Sequence, residues 1–189
     1  MLSLRKHRVW SGLSVLLLVF GSPFVAAQDE KAAKERAEID AETADVIKEF
    51  RAMNGGDAAY NKAAGYAVFR VTKAGLGASG AGGGGKAVDK KAGAQTYMRM
   101  GSAGVGFTFG VSKYDIVILF ETPDKLAAFT KGGWDSAATA QAAAGSAGTE
   151  ISSTFFEGVA YYQFSKKGLM ASADVSGTKF WIAEELTPK

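Results

Sequence analysis

The sequence predicts an α+β fold, in which an N-terminal helix precedes a compact, twisted antiparallel, barrel-like β-sheet with one or two packed helices. Residues 29–53 contain no glycine or proline and repeat apolar side chains at helical spacing. From Tyr66 onward, short runs of β-branched and aromatic residues alternate with glycine-rich segments, as strands and turns do. Helical patterns are few after that point, which favours antiparallel strands in a curved or barrel-like sheet.

The first 27 residues are typical of a secretory signal peptide. Arg5, Lys6 and Arg8 precede an almost unbroken apolar run over residues 9–20. The small side chains of residues 25–27 then suit a signal peptidase cleavage site after Ala27. The run of 12 residues is shorter than the roughly 20 that a membrane-spanning helix needs. We therefore expect export, cleavage after Ala27 and, because the chain has no cysteine for a lipoprotein anchor, a soluble protein of the periplasm.

Removing the leader changes the charge balance. The whole chain has 22 basic and 19 acidic residues, but three of the basic ones precede residue 28, so residues 28–189 carry 19 of each. Nucleic-acid binding then lacks the excess of lysine and arginine that neutralising phosphates requires. Residues 28–189 also contain no histidine or cysteine, which excludes disulfides, thiolate metal sites and serine–histidine catalysis. We expect no enzyme activity, no metal and no cofactor.

The segment after the leader predicts one long helix. Ile39, Val46 and Phe50 recur at helical spacing, and Asn54-Gly55-Gly56 ends the helix. Eight acidic and five basic residues give residues 28–54 a charge of −3, which disfavours docking on anionic lipid, so we expect this helix to pack on the domain. The predicted organisation is a leader over 1–27, a helical segment over 28–62, the main domain over 63–183 and a tail over 184–189.

Two segments carry most of the information about the sheet. In residues 103–111, large apolar residues alternate with glycine and threonine, so a strand here has one nearly bare face, which a helix, a sheet or a ligand approaches closely. Residues 116–120 are apolar throughout, which predicts a strand within 114–121 that is covered on both faces. The connection over 73–85 is very rich in glycine.

The remaining elements follow from local patterns. Thr122-Pro123-Asp124 predicts the start of a helix that runs to about Lys131. Residues 134–150 are mainly alanine, glycine, serine and threonine, and their propensities leave helix and strand both open. The other predicted strands cover 66–72, 95–100, 155–164, 169–175 and 178–183.

Three short patterns resemble nucleotide-binding or catalytic motifs but lack their context. Residues 75–80 fit G-x-G-x-x-G, yet the four glycines at 82–85 disfavour the helix that must follow. Residues 80–86 fit most of a phosphate-binding loop, but Ala87 offers no hydroxyl for magnesium. Ser176 and Lys179 fit S-x-x-K at a predicted turn instead of a helix start. We interpret the two glycine-rich matches as a flexible or β-bulged hairpin and the S-x-x-K match as a chance occurrence.

An ordered set of motifs resembles the SYLF domain. The motifs are Lys73-Ala74-Gly75-Leu76-Gly77, residues 101–106, Glu121-Thr122, residues 142–148 and residues 165–171. Their order and spacing match the family from about residue 63 to residue 181. The resemblance implies a twisted sheet with packed helices, and an extended conformation over 134–148. It also implies lipid binding, with phosphoinositide membranes as the eukaryotic target, and actin binding in fungi. The amphipathic segment that precedes eukaryotic SYLF domains corresponds here to an acidic helix, and export leaves actin as a family analogy only.

The leading hypothesis is a non-enzymatic SYLF protein that binds lipid or a membrane surface in the bacterial cell envelope. The candidate lipid-binding residues are Lys73, Lys113, Lys166 and Lys167. Lys73 matches the family motif, and the others are predicted at turns where one end of the sheet meets a phosphate headgroup. The same lysines also suit ordinary solvated turns. The alternative is a periplasmic structural or protein-interaction module without a lipid ligand, with anchors from Tyr161, Tyr162, Phe164 and Trp181.

Overall fold

A computed structural model describes residues 23–132, 151–166, 168–170 and 177–187, with the backbone alone for 23–26, 76–78 and 104–109. Most of the predicted leader, the segment 134–150, Lys167 and Ser176 lie outside the described residues. In the order of the chain, the elements are α1 (Pro23–Ala52), α2 (Gly56–Lys62), β1 (Gly65–Asp89), β2 (Gln95–Phe120), α3 (Pro123–Gly132), β3 (Val159–Ser165), β4 (Gly168–Leu169), β5 (Lys179–Ile182) and a 3₁₀ turn (Glu184–Leu186). The predicted α+β class is confirmed.

Two very long strands dominate the sheet. β1 has 25 residues and β2 has 26, and they form one antiparallel hairpin from the pair Gly65–Phe120 to the pair Val88–Gln95. The prediction of separate strands over 66–72, 95–100, 103–111 and 114–121 was wrong in this respect, because the ladder continues through the glycine-rich residues after 72 and through the short breaks at 101–102 and 112–113. A β-bulge between Leu76 and Ala78 shifts the register once, as the hairpin interpretation expects.

The other strands pair with the far edge of β2. β3 is antiparallel to Asp115–Phe120 and β5 to Met98–Gly101, while β4 extends the sheet from β3. Residues 169–175 were predicted as one strand, and β4 covers only Gly168–Leu169 of the described part. In the described residues the sheet is strongly curved but does not close into a barrel.

Glycine allows β1 to fold back on itself. A Cβ atom at Gly83 would lie far closer than 3.0 Å to the carbonyl oxygen of Arg70, and one at Gly85 would collide with that of Val68. At the end of this contact, the Lys90 N–H donates to the Ala64 carbonyl oxygen at 3.1 Å. We call Gly83 and Gly85 the glycine seam. The close approach was predicted for the bare positions of residues 103–111, but Gly110 has nothing within 4 Å of its Cβ position. The close approach that the structure shows is in β1, and the neighbour is the other half of the same strand.

Apolar layers cover both faces of the sheet. The concave face holds Phe69, Ile116 and Phe180 and receives Phe129 from α3, whose ring centroid is 5.5 Å from that of Phe180. The convex face packs against α1 and α2, where the Phe50 ring lies 5.2 Å from that of Tyr162. All five residues of the run 116–120 are fully buried, so the strand predicted to be covered on both faces is confirmed. Among the described helices, none combines the length and apolar character needed to cross a membrane.

Helix boundaries largely follow the sequence signals. α3 begins one residue after Thr122, whose Oγ1 accepts from the Lys125 N–H at 3.4 Å as the predicted N-cap does. α1 ends just before Asn54-Gly55-Gly56, where Gly55 has φ +81°. Its start at Pro23 lies inside the predicted leader. The predicted tail contains the 3₁₀ turn, and Leu186 in it is fully buried.

Candidate functional site

Two of the three described candidate lysines lie within strands and not at turns. Lys73 and Lys113 lie inside β1 and β2, where Lys73 pairs with Ser112 and Lys113 with Thr72. The expected turn at Lys113 is absent because β2 continues without interruption from Gln95 to Phe120. Lys166 follows the end of β3 and does lie in a turn. The register places Lys73 and Lys113 on adjacent rungs of one ladder, so their side chains leave opposite faces of the sheet.

β3 brings the third lysine to the same place. Asp115 pairs with Phe164, so the positions two residues further outward along these antiparallel strands carry Lys113 on β2 and Lys166 beyond β3. We call this region, beside the end of β3, the lysine end, and its described residues are 72–75, 110–113, 165–166 and 168–170. Lys113 and Lys166 are exposed, and Lys73 is half-buried.

The lysine end also exposes two apolar side chains that the sequence analysis did not select. Val111 is 72% exposed and lies on the same face as Lys113. Met170 is 40% exposed and leaves the opposite face, where its Sδ accepts from Gln163 Nε2 at 3.7 Å. The alternation over 103–111 assigned Val111 to a large apolar face, and such faces are usually buried. Gly110 has φ +101° and open space around its Cβ position. The positive φ of Gly110 accompanies the exposure of Val111. The alternating pattern of the sequence does not reveal this backbone conformation.

The described residues of the lysine end include three lysines and no aspartate or glutamate. Asp115, two residues further along β2, accepts from Arg70 Nε at 2.9 Å, and Arg70 also lies 3.5 Å from Glu42 of α1. The hydrogen bond to Asp115 is the main reason that the pKa of Arg70 is raised. One arginine and two carboxylates leave this neighbouring cluster with one net negative charge, which partly offsets the positive charge of the lysines.

The lysine of the apparent phosphate-binding loop has a structural role. Residues 80–86 lie within β1, and Lys86 is 8% exposed. Its Nζ donates to Asp40 Oδ1 of α1 at 2.7 Å and to Gln95 Oε1 at 3.0 Å. The Tyr97 hydroxyl donates to the same carboxylate at 3.0 Å, and burial, followed by this contact, raises the pKa of Tyr97. The cluster fastens α1 to the sheet and leaves no loop to hold a phosphate.

A charged groove of about 780 Å³ lies between α1 and the 3₁₀ turn. Within it, Arg99 contacts Glu35 at 2.6 Å and Glu185 at 2.7 Å. Arg36 donates to the Leu186 carbonyl oxygen at 3.2 Å. These contacts pair the main charges of the groove with one another. In the part of the chain that the structure describes, no group of three or more acidic or histidine side chains is arranged to hold a metal ion.

The proposed protein-interaction anchors are mostly core residues. Tyr161, Tyr162 and Phe164 are buried to 3% exposure or less, and the Tyr162 hydroxyl donates to the Ser152 carbonyl oxygen. Trp181 is 48% exposed, at the edge of an open groove of about 450 Å³ beside the end of α3. Only this fourth residue remains available as an anchor.

Comparison with known proteins gives two matches. Residues 101–188 match the family model Ysc84, described as "Las17-binding protein actin regulator". The protein "Beta cell expansion factor A" of Aeromonas veronii is 37% identical over 142 residues, which cover 75% of this chain and 54% of that protein. The chain thus spans about half the length of this curated relative.

Proposed function

The chain belongs to the Ysc84 (SYLF) family, a family of binding domains, and on that premise we propose that it binds anionic lipid surfaces through its lysine end and catalyses no reaction. The observation that carries the proposal is that the register brings Lys113 and Lys166 to one face of the sheet, at the level where β3 ends. Their segments lie far apart in the sequence, and they contain no carboxylate that would repel a phosphate headgroup.

The electrostatic part of the binding can be given a magnitude. Each lysine near an anionic surface contributes on the order of 1 kcal/mol, so Lys113 and Lys166 together contribute about 2 kcal/mol at low salt. That is roughly thirtyfold in affinity, and salt within the physiological range reduces it. Because residues 28–189 carry no net charge, this local arrangement, and not overall attraction, has to supply the electrostatic part of the binding.

We propose further that the protein acts in the bacterial cell envelope, most simply in the periplasm. The basic start, the 12-residue apolar run and the small residues before Gln28 support export. N-terminal sequencing of the exported protein should give Gln28 as the first residue. A first residue at Met1 in the envelope fraction would contradict cleavage.

Co-sedimentation of the 28–189 protein with vesicles tests lipid binding. Vesicles of phosphatidylcholine with an increasing share of phosphatidylglycerol should bind it increasingly, and salt should weaken the binding. The variant Lys113→Glu/Lys166→Glu should lose most of the binding, by about a hundredfold or more, because each change replaces attraction with repulsion.

The matched control is Lys91→Glu/Lys131→Glu, which makes the same change of net charge at exposed positions outside the lysine end. This control should bind nearly as the parent does. Equal losses in the two double variants would show that only overall charge matters. Absence of binding to every vesicle composition would refute the proposed lipid function and favour a protein-interaction module centred on Trp181.

A further inference from the structure

We propose that Val111 enters the acyl region of the bilayer, so that the lysine end recognises a packed anionic membrane and not a soluble headgroup. This inference rests on the proposed function and specifies its mode. A free phosphate or headgroup offers hydrogen-bond acceptors to the lysines, but it offers no apolar volume in which this side chain can be buried. A bilayer supplies both, in adjacent layers.

The exposure of Val111 is the first observation. It is 72% exposed, the largest value among the exposed large hydrophobic residues of the described chain. Its ladder partner Ala74 is also exposed, so the hairpin itself does not cover it. Such a side chain inside a regular strand gains nothing from folding, whereas burial in a membrane recovers its hydrophobic free energy.

The arrangement of charge around Val111 is the second observation. Lys113 lies two residues along the same strand, so the two side chains leave the ladder on the same side. Lys166 lies on the same side, since residues 113 and 166 are each two positions beyond the pair Asp115–Phe164. Long lysine stems can lie along an apolar surface while their ammonium groups reach the headgroups. An exposed valine beside two lysines on one face therefore matches the depth profile of an anionic bilayer.

The backbone register supplies the third observation. Beyond the pair Ala74–Val111, the next rungs are Gly75–Gly110 and Leu76–Phe109, and after the bulge the ladder resumes at Ala78–Val105. The residue types at these register positions are apolar or glycine, and residues 104–111 contain no charged residue. The hairpin therefore continues past Val111 without a charge that would oppose contact with the acyl chains.

The absence of cysteine from the chain makes a direct depth measurement possible. Val111→Cys and the control Phe156→Cys are each labelled with an environment-sensitive fluorophore. Phe156 is 45% exposed and pairs with Val159, at the opposite end of β3 from Lys166. With phosphatidylcholine–phosphatidylglycerol vesicles, the label at 111 should shift to the blue and be quenched by brominated acyl chains, while the label at 156 should do neither.

A second variant measures the energetic contribution. Val111→Ser keeps the charge and should weaken vesicle binding roughly tenfold or more, since burial of a valine is lost, while the dependence on salt stays unchanged. Phe156→Ser should bind as the parent does. Soluble glycerophosphoglycerol in excess should not compete with vesicles. Circular dichroism spectra identical to those of the parent show that the variants are folded.

The outcomes separate the two proposals. Binding that needs the lysines while the label at 111 stays in water would overturn the inference and leave the lipid function standing. A buried label at 111 in a protein whose binding does not depend on Lys113 and Lys166 would support the inference and refute the electrostatic part of the function. A parent protein that binds no vesicles overturns both.

Discussion

Replacement of either glycine of the seam by alanine should destabilise the protein much more than the same change at a neighbouring glycine. In Gly83→Ala the new Cβ meets the Arg70 carbonyl oxygen well inside 3.0 Å, and in Gly85→Ala it meets that of Val68. Both obstacles are backbone atoms in a strand that is paired with β2, so they cannot rotate away as a side chain can. The two halves of β1 have to separate, or the ladder has to distort.

The expected magnitude follows from two opposing effects. Overpacking costs typically 1–3 kcal/mol, and a backbone obstacle places these variants near the upper figure of about 3 kcal/mol. Alanine in place of glycine in a strand recovers about 0.5–1 kcal/mol, because the unfolded chain loses less freedom on folding. The net loss is therefore about 2 kcal/mol. For a chain of this size, that lowers Tm by about 4–8 °C.

Gly82→Ala is the matched control, since its Cβ would lie 3.7 Å from the Met100 carbonyl oxygen, an ordinary contact. It should be neutral or slightly stabilising. Thermal unfolding followed by circular dichroism, together with urea midpoints, compares the three variants. If Gly83→Ala and Gly85→Ala unfold within about 1 °C of Gly82→Ala, the close approach within β1 does not exist in solution and the explanation of the glycine-rich sequence fails.

Two further predictions concern buried polar groups. Asp40→Ala should lower the urea midpoint by an amount that corresponds to about 1–3 kcal/mol, because it removes the acceptor from buried Lys86. Lys86→Met should destabilise the protein less, since no buried charge then remains without a partner. A larger loss for Lys86→Met than for Asp40→Ala would contradict the role of this cluster in fastening α1 to the sheet. Burial raises the pKa of Tyr66 and of Tyr162 from 10.0 to about 12. In the unfolded chain the phenols ionise near pH 10, so their contribution to stability should be complete below pH 10 and decline between pH 10 and about 12. Phenolate absorbance of the native protein that rises with a midpoint near 10 for all tyrosines would refute this.

Local patterns predicted those elements whose tertiary contacts agree with their intrinsic preferences. The run 116–120 is buried on both faces, and Thr122 caps α3. The continuity of β1 through residues 73–85 could not be predicted in the same way, because glycine weakens a strand when only local propensity is counted. What favours glycine at 83 and 85 is the carbonyl oxygen of a residue more than ten positions away, and no local window contains that information.

The same non-local contacts determine the candidate site. From the sequence, three separate strands over 95–121 would place Lys113 at a turn with no fixed relation to Lys73. In the structure, unbroken β2 pairs with β1 on one edge and with β3 on the other, so the positions of Lys73, Lys113 and Lys166 are fixed by one shared register. A glycine at 110 with φ +101° leaves Val111 outside the core while the ladder continues. The continuity of β2 at residues 110–113 therefore places Lys113, Lys166 and an exposed valine on one face of the sheet, while Lys73 leaves the other face.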